Sequence, residues 1–295
     1  MPTQTPPTLD AQAARRWQAV PAAGSPWLNE EVARRMEERL EWIKLQPEKW
    51  AHWAPLRGGL QAHELLLKRY PAASCFVVEN DPVQAAATVK ALNKAWWQPR
   101  RWTGAPVRFE TPPDSGVQMV WANMALHMAS EPQTLIAQWQ RALSVDGFVM
   151  FSCLGPDTLH ELRGLYEAQG WAPPAHEFTD MHDWGDMLVA AGFAEPVMDM
   201  ERITLTFQTP QRLLQELRGL GRNLHVNRFP GLRGRQWQQM LLQALEGMPL
   251  QLTFEVIYGH AFRPVSKLSM RAETVLSLSQ MKETLHQRKS YPKGP

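Results

Sequence analysis

The chain has 295 residues, 44% hydrophobic and 20% charged, with a formal net charge of +2; that balance fits one α/β domain with insertions and excludes a wholly disordered chain. No apolar run approaches the roughly 18 residues needed to span a bilayer, and the polar start Met1 to Asp10 has no apolar signal core, so a cytoplasmic protein without a membrane partner is expected. Two isolated cysteines, Cys75 and Cys153, exclude a disulfide framework and a thiolate metal site and read as buried free thiols.

The first expected helices are Asp10 to Ala19 and Asn29 to Leu45, separated by the turn-rich stretch Val20 to Pro26. Val32, Met36, Leu40 and Ile43 recur at helical spacing, so residues 1–46 read as an amphipathic lid that packs on something else. A mostly parallel sheet follows over residues 47–264. Strands are expected at Ser74 to Glu79, Val117 to Ala122 and Phe148 to Phe151, helices at Ala85 to Leu92 and Pro132 to Leu143, and a turn at Ser144 to Gly147. After a helix at Asp183 to Ala191, Pro196 to Phe207 and Leu250 to Arg263 read as an antiparallel hairpin. Its connection, about 208–249, holds two helices, Pro210 to Leu220 and Gln236 to Glu246.

The tail 265–295 reads as a basic, flexible appendage, with Lys267, Arg271, Lys282, Arg288, Lys289 and Lys293 against Glu273 and Glu283. No helix-turn-helix, finger or aromatic platform accompanies that charge, so nucleic acid is not the expected partner. A monomer is expected.

Four places carry residues suited to chemistry. Glu79 ends a strand 21 residues after Gly58, close to the roughly 20 expected between a glycine loop and an acid that holds ribose hydroxyls. The loop itself, Ala54 to Leu60, offers Gly58 and Gly59 for close approach, but Pro55 has no amide hydrogen, Leu56 and Leu60 add bulk, and Arg57 would repel a cationic ligand unless it points out. Trp121 to Met128 follows the next strand, where Asn123 and Met124 would line the same crevice or simply fill a strand-to-helix junction. Arg163 stands on a helix opened by Asp157 and Thr158; it either grips a planar carboxylate or pairs on the surface with Glu161 or Glu167.

In Thr179 to Asp186, acids surround His182, but the pattern is a helix start capped by Asp180 or Asp183, so no metal is expected. From Arg218 to Arg235 five arginines and His225 occur without an acid, a surface either merely solvated or suited to an acidic partner. Hydrolase, zinc-protease and phosphate-loop motifs are absent.

The strings Phe151-Ser152-x-x-Gly155-Pro156-Asp157-Thr158-Leu159-x-Glu161-Leu162-Arg163, Asp180-Met181-His182-Asp183-x-Gly185-Asp186 and Leu252-Thr253-Phe254-Glu255-Val256-x-Tyr258-Gly259-His260-Ala261 resemble the malonyl-acyl-carrier-protein O-methyltransferases of biotin synthesis. The resemblance covers about residues 10–264. It implies a Rossmann-like class I methyltransferase fold: a seven-stranded, mostly parallel sheet with an antiparallel last strand, a helical lid and a helical insertion. The implied cofactor is S-adenosylmethionine, and the implied partner is malonyl-loaded acyl carrier protein.

By the same resemblance Arg163 is the catalytic grip on the malonyl carboxylate, and Gly58, Gly59, Glu79, Glu110, Asn123 and Met124 are the cofactor side. Trp27, His127, His182, Arg222, Arg228 and Arg235 fall to the substrate or carrier side. The chain departs from the family pattern in the cofactor loop, where Ala54 replaces an Asp and only Gly58 remains in register, and in the lid, where Trp27 stands near the place of a tyrosine. Those departures keep open a second outcome, a weak or inactive homologue that binds acyl carrier protein or another acidic partner.

Overall fold

Trp50, Cys75, Met119 and Trp121 face one side of a sheet, while Ala51, Phe76, Val120 and Ala122 face the other, because side chains alternate along a strand. Both sets are buried, so both sides need helices. The computed structural model describes residues 8–20, 22, 24–92 and 106–265. It divides into the units Met1–Pro264 and Val265–Pro295; the description concerns the first, and the expected basic tail lies outside the described residues apart from Val265.

The strands are β1 (Lys49–Trp53), β2 (Ser74–Val78), β3 (Val107–Arg108), β4 (Val117–Ala122), β5 (Leu143–Leu154), β6 (Ala194–Thr206) and β7 (Gln251–Phe262). Their order is β3-β2-β1-β4-β5-β7-β6. β1 to β5 pair in parallel, and β7 runs antiparallel to both β5 and β6. This is the class I arrangement that the resemblance implies, with the chain reversing direction across the sheet at β1 and β4, where open α/β sheets bind ligands.

One face is covered by α2 (Trp27–Glu38), through Leu28, Val32 and Met36, and by α4 (Leu60–Arg69), through Ala62 and Leu66. α6 (Pro132–Ala142) and α8 (Met181–Ala190) cover the other with Ile136, Trp139, Trp184 and Leu188. Between β1 and α4 lies a single turn, α3 (Pro55–Gly58), and α5 (Pro82–Leu92) follows β2. α7 (His160–Ala168) follows β5, and α9 (Pro210–Leu220) with α10 (Arg235–Glu246) fills the connection from β6 to β7 as expected.

α1 (Ala11–Gln18) is capped by Asp10 and packs Ala14 and Trp17 on Leu224 of the insertion. An isolated bridge between Leu9 and His225 adds backbone pairing there. Lid and insertion are therefore joined at one end of the sheet.

The expected turn at Ser144 to Gly147 is a bulge inside β5: Val117 pairs with Leu143 but Met119 with Phe148, and Asp146 has φ 62°. The ladder to β7 continues past it through Asp146 and Gly147 to Arg263, and this long-range pairing decides the conformation. Both cysteines are buried and free. Among the described residues no helix is long and apolar enough to cross a membrane.

Candidate active site

At the carboxyl ends of β1, β2 and β4 a cavity of about 260 Å³ opens, walled by Trp17, Arg57, Gly58, Glu79, Asn123 and Met124 among others. A second, apolar cavity of about 300 Å³ adjoins it, lined by Leu162, Tyr166, Phe178, Leu217, Trp237 and Phe254 with Arg218 and Arg222. His127, Met128, Leu154 and Leu220 belong to both walls. Two chambers thus share one partition.

The first chamber is built by the loop after β1. Ala54 ends the strand in the left-handed region, φ 51°, a conformation that Gly, Asn and Asp take more readily. The chain then closes a helical turn, with the Gly58 amide on the Ala54 carbonyl at 2.9 Å. Gly58 lies so close to β4 that a Cβ there would stand 2.5 Å from the Asn123 carbonyl oxygen. Asn123 locks the contact: its Nδ2 donates to the carbonyl oxygens of Gly58 and Asn29, and its Oδ1 accepts from Ser152 at 2.6 Å.

Glu79 is placed by β2. Its Oε1 accepts from the Leu56 amide at 3.0 Å and the Thr88 hydroxyl at 2.9 Å. Burial raises its pKa, while those donors and Arg57 oppose the rise. No hydrogen bond to Oε2 occurs among the described residues, so one carboxylate oxygen remains for a hydroxyl-bearing ligand. That free acceptor at a strand end, above a cavity with the apolar side chains of Met124 and Leu135, fits the nucleoside part of S-adenosylmethionine.

Arg163 lies outside both chamber walls, behind His176 and Phe178 of the second. Its Nη1 donates to the Pro156 carbonyl at 3.2 Å and its Nη2 to the His176 carbonyl at 3.1 Å, and the guanidinium lies 5.5 Å from the Phe178 ring. Nε is buried without a partner. The surface salt bridge to Glu161 or Glu167 is absent among the described residues, because Glu161 accepts instead from Thr253 of β7. Asp157 and Thr158 do not cap α7 either. Asp157 pairs with Arg202 and Thr158 with the Glu255 backbone, leaving Leu159 at the helix start with φ 60°.

The other expected site residues divide. His127 lines both chambers, while Arg222 lines the second and lies over Trp17 at 4.9 Å. Gly59 is outside both walls; a Cβ there would meet Ala33 and Glu30 at 3.2 Å, so its role is the approach of α2 to α4. Glu110 faces Arg108 at 3.9 Å and lines a smaller cleft that shares Glu79 with the first chamber. Trp27 is 61% exposed at the start of α2, His182 points to solvent beside its cap Asp180, Arg228 pairs with Asp10, and Arg235 is an exposed first residue of α10. None of these four enters either chamber.

The sequence reading missed Trp17, His176 and the apolar set of the second chamber. Only the spacing of Leu213, Leu214, Leu217 and Leu220 along α9 signals the last of these.

His127 and His176 are coupled, with His176 Nε2 3.0 Å from the His127 carbonyl oxygen. Burial pushes His127 down to about 3 and His176 to about 4, since desolvation disfavours the imidazolium. Below the ordinary value of about 6.5 the unfolded chain takes up protons that the folded chain refuses, so these groups are neutral without penalty above pH 6.5. They cost stability as pH falls toward 4, at about 1.4 kcal/mol per pH unit for each fully refused proton. A His127→Gln variant is expected to show a flatter fall of melting temperature between pH 6.5 and 4 than the unaltered chain, measured by circular dichroism.

The chain is 36% identical over 288 residues to a malonyl-acyl-carrier-protein O-methyltransferase of Gallionella capsiferriformans, covering 92% of this chain and 97% of the relative. It is also 36% identical over 251 residues to the protein so named in Laribacter hongkongensis, covering 81% and 84%. Among solved structures the YcgJ protein of Bacillus subtilis superposes with a TM-score of 0.53 at 12% identity, over 80% of this chain and 99% of that one, a likeness of fold. No protein-family model matches the chain.

Proposed function

The chain belongs to the malonyl-acyl-carrier-protein O-methyltransferase family, and from that membership we propose that it methylates the free carboxylate of a malonyl group carried on acyl carrier protein, using S-adenosylmethionine, in biotin synthesis. The observation that carries this reading is the shared partition: a polar chamber, in which Glu79 Oε2 has no hydrogen bond among the described residues, opens against an apolar chamber through His127, Met128, Leu154 and Leu220.

Glu79 holds the cofactor ribose, with Met124 and Leu135 as apolar walls and Asn123 fixing the loop. S-adenosylmethionine, when bound there, would supply an electrophilic methyl group. A malonyl carboxylate is ionised at neutral pH, so the chain has no proton to remove, and His127 and His176, both neutral there, act as uncharged walls. What the residues provide is alignment and exclusion of water. Arg163 holds the substrate carboxylate, trading its bonds to the Pro156 and His176 carbonyls for charge-assisted ones.

The apolar chamber receives the arm that links malonyl to its carrier. In its wall Arg218 and Arg222, and beyond it Arg233 and Arg235, offer an acidic carrier surface a complementary field, while Arg228 braces Asp10 of the lid. The assay is incubation with S-adenosylmethionine and malonyl-acyl carrier protein, read by mass spectrometry of the intact carrier. One added methyl group, released by mild ester hydrolysis, is the expected product. An unmodified carrier at enzyme concentrations equal to substrate sinks the proposal.

A further inference from the structure

The loop between β1 and α4 has little left to offer an anion. The Leu56 amide is bound by Glu79, and the Gly58 and Gly59 amides by the carbonyl oxygens of Ala54 and Pro55, both at 2.9 Å. The Leu60 and Gln61 amides donate to the carboxylate of Glu30, at 2.9 and 3.1 Å. Glu30, reaching over from α2, thereby occupies the amino end of α4, where exposed amides and the helix dipole would otherwise favour a ligand anion.

A cation stands in the same wall. The Arg57 guanidinium lies 3.8 Å over the Trp17 ring, and its Nη2 donates to the carbonyl oxygens of Trp17 and Val20 at 3.1 and 2.6 Å. Its Nε is buried without a partner, and no carboxylate lies within ion-pair distance of it among the described residues. The other guanidinium in the chamber wall, Arg15, is exposed on α1. A half-buried cation whose nearest opposite charge, Glu79, acts on it only from beyond ion-pair distance is short of stabilisation, and an anionic group of a ligand relieves it.

We propose that Arg57 binds the α-carboxylate of the methionyl end of S-adenosylmethionine through its unengaged donors, taking over the anion-holding role that the engaged loop amides cannot perform. The assignment rests on the first chamber being the cofactor site. It also gives Trp17 a purpose: the ring and the Trp17 and Val20 carbonyls hold the guanidinium at a fixed angle from the lid side, so α1 seats where the carboxylate is held.

The test is isothermal titration of the full chain with two probes, S-adenosylhomocysteine, which carries the carboxylate, and 5′-methylthioadenosine, which lacks the whole amino-acid end. The unaltered chain is expected to prefer the first. Arg57→Gln is expected to weaken S-adenosylhomocysteine about ten- to a hundredfold, the range for one lost charge-assisted contact, and to leave methylthioadenosine unchanged. Equal weakening of both probes, or of neither, overturns the proposal. Should Arg57→Gln not fold, Arg57→Lys decides: a loss of about tenfold in the preference supports the two-point contact, and an unchanged preference overturns it. An unaltered chain that binds neither probe instead removes the cofactor assignment itself.

Discussion

Arg163→Gln is expected to lower kcat/KM for malonyl-acyl carrier protein by about thirtyfold to several thousandfold, the equivalent of about 2–5 kcal/mol for one side of a desolvated charge pair, while S-adenosylhomocysteine binding stays as in the unaltered chain. The guanidinium is half-buried, its Nη groups rest on two carbonyl oxygens at 3.1 and 3.2 Å, its Nε has no partner, and no carboxylate pairs with it among the described residues. Burial holds its pKa below the ordinary arginine value, which marks a charge still short of stabilisation. Because the substrate carboxylate loses its charge as the ester forms, the arginine stabilises the bound ground state at least as well as the transition state. Its benefit then comes from fixing the attacking oxygen. Arg163→Lys, which keeps the charge without the planar fork, should recover KM more fully than kcat. A matched fall in S-adenosylhomocysteine affinity would show instead that Arg163 acts only by bracing the His176 segment.

Local pattern carried most of the sheet and lost most of the side-chain partners. β4 (Val117–Ala122) and α9 (Pro210–Leu220) begin and end where their apolar spacing places them, since burial on a regular element leaves a periodic trace. β1 (Lys49–Trp53) has Trp50, His52 and Trp53 in place of an aliphatic run, and its identity as a central strand comes from pairing with Ser74–Val78 and Met119–Trp121. Asp157 and Thr158 look like caps for the following helix but are claimed by Arg202 and Glu255, 45 and 97 residues away. Arg57 looked unfavourable for a cationic ligand; Trp17, 40 residues earlier, turns it into a held guanidinium. The loop after β1 turns in the left-handed region at Ala54, where the resemblance implies an Asp. Such pairings leave no periodic trace.

Gly58→Ala is expected to be the most damaging single methyl that can be added near the cofactor chamber. The new Cβ would stand 2.5 Å from the Asn123 carbonyl oxygen, and that neighbour is backbone at the end of a central strand, so it cannot swing aside. Asn123 is itself held by Asn29, Gly58 and Ser152, which means that moving the loop by the needed fraction of an ångström also disturbs the lid and β5. Overpacking of this kind costs about 1–3 kcal/mol, or roughly 2–12 °C in melting temperature for a domain of this size. The displaced Leu56 amide would in turn loosen Glu79, so S-adenosylhomocysteine affinity should fall at least about tenfold at temperatures where the variant is still folded. Gly164→Ala is the matched control, because a Cβ there meets nothing within 4 Å and its position inside α7 favours Ala by about 0.5–1 kcal/mol. Calorimetric melting of both variants with and without S-adenosylhomocysteine separates the two effects, and a Gly58→Ala chain that melts and binds like the Gly164→Ala control would mean that the loop does not depend on its contact with β4.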